Sequence, residues 1–318
     1  YLFAYALFLE EGPWKKRALS LLPYALVVLV WRVVYVAGGY GAGGSPAYID
    51  PAATPLEFLL AAVERAPLLI TSQWVFPPAE LSILISEEAK VWMWRWSILV
   101  VLGVSILVMG LLRKREARFF ALGMMLSLLP ACATFPSNRL LVFVGFGAMG
   151  LMSMVFDAAG KLGREALPGY RNHAVRVALG VFVLLHLVCA PVGLALGPPI
   201  FHWMVDDVEI QARRIPIDES MRDKTVILVN PPTMFHTAYI PVLRAMEGQA
   251  APARMRSLAP STLTPATITI TRLDEHTLSV TSDQGYPALL LRDRQHGFRP
   301  GDKVVLPGVV IEVVRINK

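Results

Sequence analysis

Six apolar stretches, at residues 1–9, 18–37, 96–112, 119–135, 140–156 and 177–196, run through the first two hundred residues with polar loops between them. About 20 consecutive apolar residues make a helix long enough to cross the hydrocarbon core of a bilayer. The pattern therefore predicts a mainly α fold, a polytopic transmembrane helical bundle over residues 1–200 with five full spans and one truncated span. Composition agrees, since 55% of the residues are hydrophobic and 17% charged, whereas a soluble domain carries about 25% charged residues. The first stretch opens at Tyr1 with no initiator Met, so the chain reads as a piece of a longer one. Only Pro136, Ser137, Asn138 and Arg139 separate the fourth and fifth stretches, which predicts a tight hairpin.

The distribution of Lys and Arg sets the expected orientation, because loops on the cytoplasmic side carry an excess of both. Lys15, Lys16 and Arg17 precede the second stretch. Arg113, Lys114, Arg115 and Arg118 join the third to the fourth, and Lys161, Arg164, Arg171 and Arg176 join the fifth to the sixth. The alternate side carries only Arg65, Lys90, Arg95 and Arg139. This asymmetry predicts an integral protein of the plasma (inner) membrane, with the 38–95 loop, the Arg139 turn and everything after residue 196 outside. The net charge of +6 is explained by these loops; the bilayer is the expected partner and nucleic acid is not.

Within the outer loop, residues 56–70 place apolar side chains at helical spacing with Glu57, Glu64 and Arg65 opposite. That spacing predicts an amphipathic helix on the membrane surface or against the bundle. Trp74, Trp92, Trp94 and Trp96 are placed as an aromatic belt at the outer boundary, or as a platform for a sugar or lipid head group. After Pro198 the pattern changes. Strands are expected at 225–229 and 254–258 around a helix at 234–246. Two hairpins follow, one across Asp274, Glu275 and His276, the other across Pro307 and Gly308. Residues 205–318 thus read as an extracytoplasmic α+β domain with mostly antiparallel strands.

Few residues carry chemistry. Arg32 lies in an apolar run, where a charge costs about 2.5–3.5 kcal/mol on insertion scales; it either snorkels outward or binds a phosphate or carboxylate. Arg139, at the tip of the hairpin beside Ser137 and Asn138, suits an anionic lipid phosphate through charge-assisted hydrogen bonds; its other reading is a solvated turn. Tyr40, Ser45, Tyr48 and Asp50 form a polar group in a Gly-rich segment. Asp50 there is either a general base or metal ligand, or a turn former preceding Pro51. The histidines show no metal-ligand spacing. Cys132 and Cys189 read as small core residues, and the Asp206–Asp207 pair as part of a solvated linker.

The stretch ARFFALGMMLSLLPACATFPSNRLLVFVGFGAMGL, residues 117–151, resembles a segment of the GT-C glycosyltransferases, especially the O-mannosyltransferase-like membrane proteins. Leu128, Leu129 and Pro130 match the end of an aromatic-led span, and Arg139 and Gly145 match the outer turn and the span that follows. KKRALSLLPYALVVLVWRVVY, residues 15–35, is similar to the basic entry of another span in that group. Where those relatives carry an acidic residue before this Arg and a Tyr after it, the chain has Asn138 and Leu140. The resemblance implies transfer of a sugar from a polyprenyl-phosphate donor on the outer face, with Arg139 as a lipid-phosphate contact. The family's catalytic carboxylate belongs to an earlier loop, so no base carries over; Asp50 is the speculative catalytic residue and a divalent metal the cofactor compatible with such a site. The rival expectation is a non-enzymatic membrane anchor whose outer domain binds a partner or envelope polymer.

Overall fold

The computed structural model describes residues 1–41, 48–162, 177, 179–231, 235–258, 267–283 and 297–316. Ser45, Arg164, Arg171, His173, Arg176 and His296 lie outside the described residues. The chain divides into two compact units, Tyr1–Pro191 and Val192–Lys318.

The first unit is helical: α1 (Leu2–Phe8), α2 (Trp14–Ser20), α3 (Leu22–Ala37), α4 (Pro55–Trp74), α5 (Leu81–Leu84), α6 (Glu87–Met109), α7 (Arg115–Cys132) and α8 (Val142–Leu162). A further helix carries a π turn at Leu184–Cys189 and runs on as α9 (Ala190–Arg213). Among the described residues, four helices are long and apolar enough to cross a membrane: Trp14–Ala37, Glu88–Arg113, Val142–Lys161 and Leu179–Leu196. The sequence led us to expect five. The difference is α7, 18 residues with Arg115, Glu116 and Arg118 in its first turn, so its uncharged part, from Phe119 to Cys132, is shorter than a full span. Its course is nevertheless that of its neighbours. Arg118 Nε donates to Leu112 O at 2.7 Å just past the end of α6. At the other end, Asn138 Oδ1 accepts from Ala79 N–H, before the start of α6.

The core of this unit runs between α4, α6, α7 and α8 and includes Leu69, Trp74, Leu128, Val144 and Leu151. Small residues bring α7 and α8 together. A Cβ placed on Gly147 would stand 2.7 Å from Phe120 O and 2.7 Å from Met124 Cβ, and one on Gly150 would meet the Phe120 ring. Close backbone approach of this kind drives helix pairing in lipid, where burial of apolar surface contributes little. The amphipathic segment forms α4, and its second half enters the bundle, with Leu68, Leu69, Ile70, Thr71 and Trp74 buried. Trp74 is consequently not part of an aromatic belt. It is fully buried, its ring 5.8 Å from Phe182, and its carbonyl oxygen lies 3.2 Å from His186 Nε2. Trp92 and Trp96 are exposed as a belt requires.

The second unit packs the end of α9 against a β-α-β unit. Strands β1 (Thr225–Val229) and β2 (Arg254–Leu258) pair in parallel, Thr225 opposite Arg254, with α10 (Phe235–Met246) as the crossover. Val208, Ala212, Ile215, Met221 and Ile240 form its core. The expected hairpins are present as antiparallel pairs, β3 (Ile268–Arg272) with β4 (Leu278–Ser282) and β5 (Lys303–Leu306) with β6 (Val309–Glu312). Gly308, at φ +81°, supplies the turn conformation that β5–β6 needs. Asp206 and Asp207 are not in a linker. They lie on α9, and Asp207 Oδ2 is 2.9 Å from Nε2 of the buried His236.

Candidate outer-end anion site

Two loop segments and one helix converge where α7 turns into α8. The first is 48–54. Tyr48 bridges Thr134 in antiparallel fashion, and Ile49 N–H donates to Ala133 O at 2.7 Å, which pins this segment to the end of α7. Asp50 follows and performs two tasks. Its Oδ1 accepts from Ala52 N–H at 2.8 Å, closing the turn that leads into α4. Its Oδ2 lies 3.5 Å from Arg32 Nη2, with both side chains partly exposed. The Ala52 N–H, and after it the Arg32 guanidinium, hold this carboxyl below the usual carboxylate range. A carboxylate so stabilised is a weak proton acceptor.

The second contribution comes from α4. Arg65 Nη1 donates to Cys132 O at 2.9 Å and to Thr134 O at 3.0 Å. A cation here satisfies carbonyls left without intrahelical partners and complements the negative end of the α7 dipole. Cys132 is buried in the core at this end.

The third is 77–80. Glu80 accepts from the Ser137 hydroxyl at 3.0 Å and from Asn138 N–H, while Asn138 Oδ1 accepts from Ala79 N–H at 3.2 Å. Ser137 is buried. The turn Asn138–Leu140 is thereby clamped on both sides before α8 begins. Arg139 projects from it, exposed, with its guanidinium 5.6 Å from the Phe135 ring centroid. It makes no ion pair among the described residues.

The structure thus joins Arg32 to Asp50 and sets both at the end of the bundle that carries Arg139. The cation of Arg32 is shared with Asp50 and that of Arg65 with backbone carbonyls; Arg139 is the one presented outward on a braced turn. Sequence reasoning missed the roles of Arg65 and Glu80. The signal was present only as charged residues in otherwise apolar surroundings. Among the described residues, no group of three or more His, Cys, Asp or Glu side chains converges to hold a metal ion. No protein-family model, curated protein or solved structure matches the chain.

Proposed function

We propose that the chain belongs to a plasma-membrane protein of glycosyltransferase-like type that binds the phosphate of a polyprenyl-phosphate-linked sugar on the outer face. The observation that carries this reading is Arg139, an exposed guanidinium on a turn fixed by Glu80 and Asn138. The basic loops at the opposite ends of the helices support the outward placement of that turn. On this reading α7 also crosses the membrane, and the residues after 196 are then expected on the outer side. In transfer, the acceptor oxygen bonds to the sugar's anomeric carbon as the bond to the donor phosphate breaks, and the acceptor's proton passes to the departing phosphate or to water. Negative charge then grows on the departing phosphate, and a preorganised cation at that point lowers the barrier. Arg139 is placed for that role, and Phe135 and the Glu80 clamp keep it in position.

The test is turnover by the full-length protein with polyprenyl-phosphate mannose carrying a labelled sugar. Arg139→Gln is expected to lower kcat/KM by about 10–100-fold, the scale of one charge-assisted contact. Arg139→Lys should restore part of the loss, and Glu80→Gln, which loosens the brace, should show a smaller defect. Unchanged transfer by Arg139→Gln overturns the assignment. The anchor reading is favoured by one observation, the separate core of the C-terminal unit around Ile240; under it the full-length protein transfers no sugar and Arg139→Gln leaves partner binding intact.

A further inference from the structure

Helix α3 stands apart from the core. Every large apolar side chain from Leu22 to Val36 except Tyr35 is more than half exposed. Between this helix and α1 lies a shallow, open apolar depression lined by Leu2, Phe3, Leu21, Tyr24, Val28 and Leu29, with Arg32 at one end. From Leu21 to Arg32 the depression extends about 17 Å along the helix.

Its two ends differ in chemistry. The walls offer almost only hydrocarbon, so a peptide strand laid there would leave its backbone groups without partners. Arg32 offers a guanidinium with five donors. One nitrogen faces Asp50 at 3.5 Å, longer than the 2.7–2.9 Å of a direct charge-assisted bond, and the other donors have no hydrogen-bond partner among the described residues. Trp31 and Tyr35, rings 5.1 Å apart, stand beside it, as aromatic residues do at headgroup level. A hydrocarbon trough ending in an incompletely used cation at the interface matches one kind of molecule in shape and charge.

We propose that this depression holds one acyl chain of an anionic membrane phospholipid, with the lipid phosphate on Arg32 and drawing it away from Asp50. Bound lipid fills the gap between α3 and α1 and ties the isolated helix to the rest of its unit. This inference rests on α3 lying in a membrane and is independent of the role given to Arg139.

The experiment uses the full chain, purified in mild detergent and stripped of lipid, with thermal unfolding followed after adding phosphatidylglycerol or phosphatidylcholine of identical acyl chains. A ligand that binds the folded form raises Tm in proportion to its affinity. Phosphatidylglycerol is expected to raise Tm several degrees more than phosphatidylcholine does. Arg32→Gln should abolish that preference and Arg32→Lys retain it. Val28→Trp, which fills the trough without touching the charge, should reduce the shift from both lipids. Arg139→Gln should keep the preference, which separates this site from the proposed sugar-donor site. Equal shifts for the two lipids, a preference surviving Arg32→Gln, or a depression occupied by a second copy of the chain would overturn the proposal.

Discussion

Replacing Arg244 by Met is expected to destabilise the C-terminal unit by about 3–5 kcal/mol, the range for removing one side of a buried charged network. Arg244 sits on α10 and is among the largest fully buried side chains. It makes four hydrogen bonds, all to backbone: Nε to Ala250 O at 2.8 Å, Nη1 to Ala212 O at 3.4 Å and Ile215 O at 3.0 Å, and Nη2 to Pro216 O at 2.7 Å. Three of those carbonyls lie at or just beyond the end of α9, where the helix dipole favours a cation; Ala212 O also accepts from Ile215 N–H at 3.2 Å, while those of Ile215 and Pro216 lie past the last helical residue. One side chain therefore fastens α9, α10 and the loop after it. Met keeps the apolar stem and removes every donor, leaving buried carbonyls at about 1–3 kcal/mol each. A domain this small has about 5–15 kcal/mol in total, so the loss is a large share. Amide hydrogen exchange of β1 and α10 in the full chain reads it directly. Protection should fall by two to four orders of magnitude; a change below tenfold contradicts the account.

Gly147→Leu should have the second large effect, by separating α7 from α8. The added side chain meets Phe120 O at 2.7 Å, and a backbone oxygen inside a helix cannot turn aside as a side chain does. Overpacking of this kind costs about 1–3 kcal/mol, and more when backbone must move. Because the Arg139 turn joins these helices, the same substitution should also weaken the phosphate binding proposed there. Gly103→Leu is the control, since a Cβ on Gly103 has nothing within 4 Å. Thermal unfolding in detergent should show a lower Tm for Gly147→Leu and an unchanged Tm for Gly103→Leu. Equal values for both would mean that the two helices do not depend on this contact.

Local signals carried much of the architecture. The 136–139 turn is where the apolar runs on either side required it, and the β3–β4 and β5–β6 hairpins follow from alternation around short polar turns. What failed was long-range. The β1-α10-β2 order is a parallel crossover over a 12-residue helix within a domain expected to be mostly antiparallel, and the sequence pattern assigns no pairing to these two strands. Nothing in local alternation distinguishes the two, although a strand, helix, strand succession favours the parallel form. Trp74 was assigned to the interface from its neighbours in sequence; its burial depends on Phe182, more than a hundred residues away. Arg32, Asp50 and Arg139 were each legible as charges in apolar or Gly-rich surroundings. That Asp50 closes a turn and pairs with Arg32 depends on the Ile49 to Ala133 hydrogen bond, which no spacing rule reveals. Arg65, Glu80 and Arg244 act on backbone groups distant in sequence, and a residue that binds backbone leaves no partner motif to find.

The most direct test of the proposed phosphate site is equilibrium binding of polyprenyl phosphate and of the corresponding uncharged polyprenol to the full-length protein in lipid nanodiscs. The account predicts that the phosphate form binds about 10–100-fold more tightly, as expected for a charge-assisted contact, and that Arg139→Gln removes that difference while leaving polyprenol binding unchanged. Equal affinity for the two lipids, or a phosphate preference that survives in Arg139→Gln, would contradict it.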